Sequence, residues 1–327
     1  MKKASLFMTG FLMLAGMASA PLGAAGYPDR PITLLVGFAP GGSLDLSARA
    51  LAAAAEKSLG QPIAVENKTG GTGSVALAAL LNSQPDGYTL VATPSSVLIR
   101  VSQMQAFPFK PLKDFKPVVG FAAPEIGIVV KSDSPWKSIK ELTDYAKKNP
   151  AKIRYATDGN GSTTHGAVQA LVTKDKLQMI HIPFKGSVEA ITALLGGHVE
   201  MGSLTTEFIS SVQAGQTRLL ATMGEKRMPK FPNVPTLKES GYDFVAETVY
   251  CVVAPSNLPA DVAKKLEDAF AKASESKDYK DALDKINLTP IHFTGKNLEV
   301  FLKTNWKRVN TQMIEAGLIK EAATQPE

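Results

Sequence analysis

The sequence predicts an α/β protein folded as two lobes with mostly parallel sheets. Three observations carry that expectation. Short apolar runs alternate with helical patterns along most of the 327 residues, as in strand–helix units. Two polar, glycine-bearing loops, Phe38 to Asp45 and Tyr155 to His165, each follow a strand-like run and open a helix-like one. Roughly 300 residues remain once an N-terminal leader is set aside, enough chain for two cores.

The elements follow in chain order. Lys2 and Lys3 precede an apolar run from Leu6 to Ala18 and then small residues, which is the layout of a secretory signal peptide over residues 1–25. Cleavage after Gly23-Ala24-Ala25 is preferred to cleavage after Ala18-Ser19-Ala20, because Pro21 would follow the latter cut directly. There is no twin-arginine pair and no cysteine near the cut to carry a lipid, so the expected product is a free, Sec-exported, periplasmic protein. No later segment approaches the roughly 20 apolar residues of a membrane helix. Apolar, β-branched runs predict strands at 32–37, 62–66, 88–92, 126–130, 153–156, 179–182, 199–203, 218–222, 249–253 and 288–292. Helical spacing predicts helices at 44–59, 74–82, 138–148, 163–174, 187–195, 206–213, 259–274, 277–284 and 296–316. The charge-rich helices 138–148 and 259–285 read as solvated faces. Crossings between lobes are expected near Phe121 to Glu125 and around Val245 to Thr248. Residues 26–124 and 247–327 then form a discontinuous first domain, and 125–246 a second. A ligand would sit in the cleft between them, at the carboxyl ends of the strands.

The loop Phe38-Ala39-Pro40-Gly41-Gly42-Ser43-Leu44-Asp45 has the chemistry of an anion cradle. Glycine lets main chain approach a ligand, and the first N–H groups of the following helix have no intrahelical partner. A plain turn with Ser43 or Asp45 as a helix cap is the competing reading. The loop Thr157-Asp158-Gly159-Asn160-Gly161-Ser162-Thr163-Thr164-His165 repeats the arrangement with more hydroxyls, and there too a turn plus cap competes. One such loop per lobe could hold the two ends of an elongated anion. His165 could reach a ligand from its loop or serve as a structural histidine.

Other chemistries lack their residues. The four histidines are widely separated, so neither a metal site nor another cofactor is expected. Gly41-Gly42-Ser43-Leu44-Asp45 misses the nucleophile elbow because Asp stands where its last glycine belongs. Gly71-Thr72-Gly73-Ser74-Val75-Ala76 matches the loose dinucleotide loop, but residues 92–100 contain no acidic partner. Cys251, the single cysteine, reads as buried packing, and Trp136 and Trp306 as core or surface packing. Removing Lys2 and Lys3 from the formal +6 leaves +4, scattered and without aromatic interleaving, so no nucleic-acid partner is expected.

With these motifs in place the chain resembles the Bug family of periplasmic solute-binding proteins, the extracytoplasmic receptors of tripartite tricarboxylate transporters. The matching segments are Tyr27 to Ile32, Phe38 to Asp45, Leu59 to Pro62, Val65 to Gly73, Pro85 to Leu90, Tyr155 to His165, His181 to Gly186, Leu195 to Val199 and Pro232 to Thr236. They span essentially the whole mature chain. The resemblance implies a two-domain type II periplasmic binding fold, a Venus flytrap with a central cleft and hinge, that closes as a monomer on a small di- or tricarboxylate or related organic acid. Phe38, Ala39, Pro40, Gly41, Gly42 and Ser43 would hold one end, with Asp45 shaping the loop. Thr157, Gly159, Asn160, Gly161, Ser162, Thr163, Thr164 and His165 would serve the other. Thr93, Pro94, Ser95 and Ser96, the segment Lys185-Gly186-Ser187, and Ser203 and Thr205 would line the cleft. The implied partners are membrane subunits of a tripartite tricarboxylate transporter. A periplasmic carboxylate sensor and an enzyme acting on a small organic acid are the alternatives. One departure stands out: Leu204 occupies the position where many members carry an aspartate that meets a ligand amino group, which turns the expectation away from amino acids. Glu207 would either repel a further carboxylate or face away.

Overall fold

A computed structural model describes residues 26–105, 107–246, 248–315 and 317–319. The predicted signal peptide, 1–25, lies outside the described residues. Two sheets organise the chain. The strands are β1 (Ile32–Val36), β2 (Ile63–Asn67), β3 (Thr89–Pro94), β4 (Phe115–Ala123), β5 (Ile126–Lys131), β6 (Arg154–Thr157), β7 (Ile180–Pro183), β8 (Met201–Thr205), β9 (Thr217–Thr222), β10 (Tyr250–Pro255) and β11 (Thr289–Thr294). The helices are α1 (Ser43–Leu59), α2 (Ser74–Leu81), α3 (Ser102–Met104), α4 (Pro111–Asp114), α5 (Ile139–Lys148), α6 (Thr163–Asp175), α7 (Ser187–Leu195), α8 (Phe208–Gln213), α9 (Ala260–Glu275), α10 (Lys277–Lys285) and α11 (Gly295–Glu315). A π-helical turn, Val97–Val101, leads into α3. No helix among the described residues is long and apolar enough to cross a membrane.

The first sheet has the order β11-β4-β10-β3-β1-β2 and the second β7-β6-β8-β5-β9. Neither is mostly parallel, which corrects the sequence expectation. β1 pairs in parallel with β2 and β3, but β10 and β11 enter antiparallel. In the second sheet β6 pairs in parallel with β7 and β8, while β5 is antiparallel to both neighbours. Two of the reversed strands, β5 and β10, are the ones next to the crossings. The chain leaves the first sheet at the end of β4, passes Pro124-Glu125, and enters the second as β5. It returns to the first as β10. β4 itself has no counterpart among the predicted strands, because Lys116, Pro117 and Gly120 interrupt its apolar run.

Local sequence explains the layers. On α1, Leu44, Ala48, Leu51, Ala55 and Leu59 form one buried stripe that packs in the core of the first sheet, and Gly60 ends the helix in the left-handed region (φ 71°). In the second sheet, β5 is buried on both faces with period two. Ile126, Ile128 and Val130 join the core under α5 and α6, whereas Val129 joins the core under α7 and α8. Trp136 and Trp306 are buried packing residues. Cys251 is buried beside the Thr93 carbonyl at 3.3 Å, and burial pushes its thiol up to about 12, so it is not a thiolate at neutral pH.

Candidate functional site

The loop after β1 is held from below by one carboxylate. Asp45, buried in the first turn of α1, accepts from the Gly41 amide at 2.9 Å, from Asn67 Nδ2 at 2.9 Å and from Arg49 Nε at 3.1 Å. Burial works against its ionisation most strongly, yet the hydrogen bonds from Arg49, Gly41 and Asn67 together hold its carboxyl below the ordinary range. Asp45 therefore shapes the loop, while Pro40 and Gly41 stand exposed at its tip. Gly37 has to be glycine for a packing reason: a Cβ there would lie 2.8 Å from the Gly73 Cα. Ser43 Oγ is 2.8 Å from the Tyr250 hydroxyl, which stays protonated because burial and the nearby Glu207 charge raise it well above its usual range.

The loop after β6 is organised around α6. Ser162 caps the helix by accepting from the His165 amide at 3.2 Å. His165 turns inward, with Nδ1 accepting from the Gly161 amide at 3.0 Å, and its ring stacks on His181 at 4.2 Å, which in turn stacks on Tyr155 at 4.8 Å. Burial lowers His165 to about 3, helped by the repulsion that two protonated rings would feel and by the Arg100 charge, and burial lowers His181 to about 4, so both rings are neutral at pH 7. Thr157 Oγ1 lies 2.7 Å from His181 Nε2, Thr164 donates to Asp158, and Ser203 Oγ donates to the Thr164 carbonyl at 2.8 Å. These hydroxyls rigidify the loop. Gly159 adopts φ +140° against Thr72 of the first unit.

The two loops face one another. The Ala39 amide donates to the Lys185 carbonyl at 3.2 Å, and the Thr72 hydroxyl donates to the Asn160 carbonyl at 3.0 Å. A third bond spans the gap: the Ser43 amide donates to Glu207 Oε1 at 2.6 Å. Of the predicted site residues, Phe38, Ala39, Gly42, Ser43, Gly186 and Thr205 line one narrow void of about 30 Å³. Phe38, Gly159 and Asn160 line a wider one of about 440 Å³, which also touches Gly70 to Gly73 and Lys185. Phe38 and Asp158 line both, so the two voids adjoin across these residues, and together they make up the cleft.

Other predicted residues are not brought to that cleft. Ser95 accepts from the Val249 amide at 3.1 Å, beside the strand that returns to the first sheet. Ser96 and Thr163 line a small space of about 20 Å³ on the far side, next to Arg100. Gly161 packs on Met104 and Val101. Pro94 and Ser187, from the two segments that the resemblance sets along the cleft, line the narrow void as well, whereas its polar lining residues Asp158, Tyr250 and Glu207 stood outside the predicted set. Asp158 lies inside the second motif itself, and its carboxyl is raised by burial and by the charge of Glu207. A tyrosine opening an apolar strand was the available signal for Tyr250, since its hydroxyl needs a partner. Glu207 faces the cleft. No group of three or more His, Cys, Asp or Glu residues that could hold a metal occurs among the described residues.

The chain is similar to known proteins in both sequence and fold. The profile of the tripartite tricarboxylate transporter family receptor, TctC, matches residues 47–318. The chain belongs to the TctC receptor family. A relative from Cupriavidus necator, the UPF0065 protein in the gbd 5'region, is 38% identical over 307 residues, covering 93% of this chain and 94% of that one. The solved periplasmic binding protein BugD superposes with a TM-score of 0.84 at 28% identity, over 89% of this chain and 99% of its own. The MatC protein of Rhodopseudomonas palustris, solved with bound malate, gives 0.82 at 25% identity over 88% and 99%. The TctC fold is thus the two-sheet periplasmic binding fold that the sequence predicts.

Proposed function

We propose that this protein is an extracytoplasmic receptor that captures a small carboxylate between two domains and delivers it to a tripartite tricarboxylate transporter. The domains are residues 26–124 with 247–327, and 125–246. The observation that carries this reading is the cleft itself, in which the N-terminal loop of α1 meets the loop that opens α6. Helix N-termini favour an anion through both their free N–H groups and their dipole. In this reading Phe38 to Ser43 grip one end, Thr157 to Thr164 frame the other, and closure is favoured because the ligand touches both only when the domains are together. The malate complex of MatC supports the ligand class. The Ser43 hydroxyl meets Tyr250 and not a base, and His165 and His181 are turned into the second unit, which favours a binding site over an enzyme.

Mass spectrometry of the purified mature protein, released from its ligand by mild denaturation, tests this. The expected result is a small organic acid that rebinds saturably in calorimetry and is recovered unchanged. Turnover of that acid, or saturable binding of only cationic or neutral compounds, would refute the reading.

A further inference from the structure

Helix α1 begins without a side-chain cap of its own. Gly42 occupies the capping position, with φ −77° and ψ 166°. The amide of the first helical residue, Ser43, is satisfied instead by Glu207, 164 residues away in the other unit. The second oxygen of that carboxylate, Oε2, accepts from the Thr205 hydroxyl at 2.6 Å, and that hydroxyl lies 2.9 Å from Ser187 Oγ. Gly42 leaves room for the approach: even a Cβ there would stand 3.4 Å from Oε1. The lining of this void includes no lysine or arginine, so helix α1 and hydroxyls balance the charge. About 30 Å³ remains beside the carboxylate, room for a water or two and not for an organic acid.

We propose that Glu207 is a tethered competitor for the ligand, a carboxylate that occupies the donor site at the start of α1 and must be displaced by the incoming one. This rests on the carboxylate-receptor reading. Glu207 then sets both affinity and selectivity. A ligand gains at this end only the difference between its own carboxylate and that of Glu207. A tethered group acts at an effective concentration in the millimolar range or above, so weak monocarboxylates are rejected. Acids that also engage the α6 loop recover the difference there.

The fragment of Glu207 beyond its Cβ is acetate, which supplies a probe that needs no knowledge of the natural ligand. Thermal unfolding of the mature protein and of Glu207→Ala is followed in increasing sodium acetate, with sodium chloride at matched ionic strength as control. In chloride Glu207→Ala melts below the parent protein. Acetate raises its melting temperature saturably and leaves the parent unchanged. The Ser43 amide resonance shifts with acetate in the variant alone. Equal responses of the two proteins, or no shift at Ser43, would overturn the proposal. Should Glu207→Ala fail to fold, Glu207→Gln keeps the shape with a weaker acceptor, and the same Ser43 shift decides. If acetate fails while organic acids still bind in calorimetry, the tethered-competitor idea falls and the receptor reading stands. The reverse pattern removes the receptor reading alone.

Discussion

Replacing Asp45 with alanine tests how the first loop is built. The carboxylate receives the Gly41 amide, Asn67 and Arg49, and its own side chain is almost fully buried. Hydrogen bonds to a charged group contribute about 1.5–3 kcal/mol each, but they are not additive around one acceptor. Arg49 is 45% exposed and regains water when released, so its share is discounted. The net loss is about 3 kcal/mol, mostly from the Gly41 amide and Asn67 left without their acceptor. At about 2 °C per kcal/mol for a chain of this size, the melting temperature falls by about 6 °C at pH 7. The sign of the pH dependence follows from the lowered carboxyl. Its stabilisation is complete above the unfolded-state value of about 4 and disappears as pH falls through the lower folded-state value. Calorimetry at pH 7 and pH 3 should therefore show a gap between parent and Asp45→Ala that narrows at the acid end. A gap under about 1 °C at pH 7, or one that widens at pH 3, would show that Asp45 does not hold the loop.

Three further outcomes are expected. Gly159→Ala places a Cβ 2.6 Å from Thr72 at φ +140°, so it should weaken carboxylate binding by wedging the loops apart; unchanged affinity in calorimetry would contradict this. His165 and His181, held neutral with values of about 3 and 4, should make unfolding at pH 5 take up nearly two protons from these rings. Their stabilisation is thus present above about 6.5 and declines as pH falls toward 4, and His165→Gln should remove about one proton from the uptake measured in buffers of different ionisation enthalpy. Tyr250→Phe deletes the partner of Ser43 Oγ and should cost about 1 kcal/mol in chemical denaturation, against no change if that contact is incidental.

Much of the architecture was legible because it rests on local patterning. The stripe Leu44, Ala48, Leu51, Ala55 and Leu59 defines α1, and the runs at β1, β5 and β10 mark buried strands. β4 was not legible: Pro117 and Gly120 break its apolar run, and its pairing with β10 and β11 supplies what the local signal lacks. Strand direction was illegible for the same reason, since periodicity reports burial and not the sense in which a chain re-enters a sheet. Both cleft loops were visible as glycine between strand and helix. The role of Asp45 in shaping the first loop was legible too, but in the second loop the division of labour was not, because Thr157 meets His181 of β7 and His165 turns back to the Gly161 amide. Glu207 was the hardest to place. It stands next to the apolar start of α8, and only the juxtaposition of two units 164 residues apart shows that its carboxylate meets α1.

In the proposed receptor one small carboxylate is shared by the two loops. Titration of the isotope-labelled mature protein with the acid recovered from it, followed through backbone amide resonances, tests this most directly. Gly42 and Ser43 are expected to shift with the same saturation midpoint as the amides from Gly159 to Thr163. Shifts confined to one loop, or centred away from both, would contradict it.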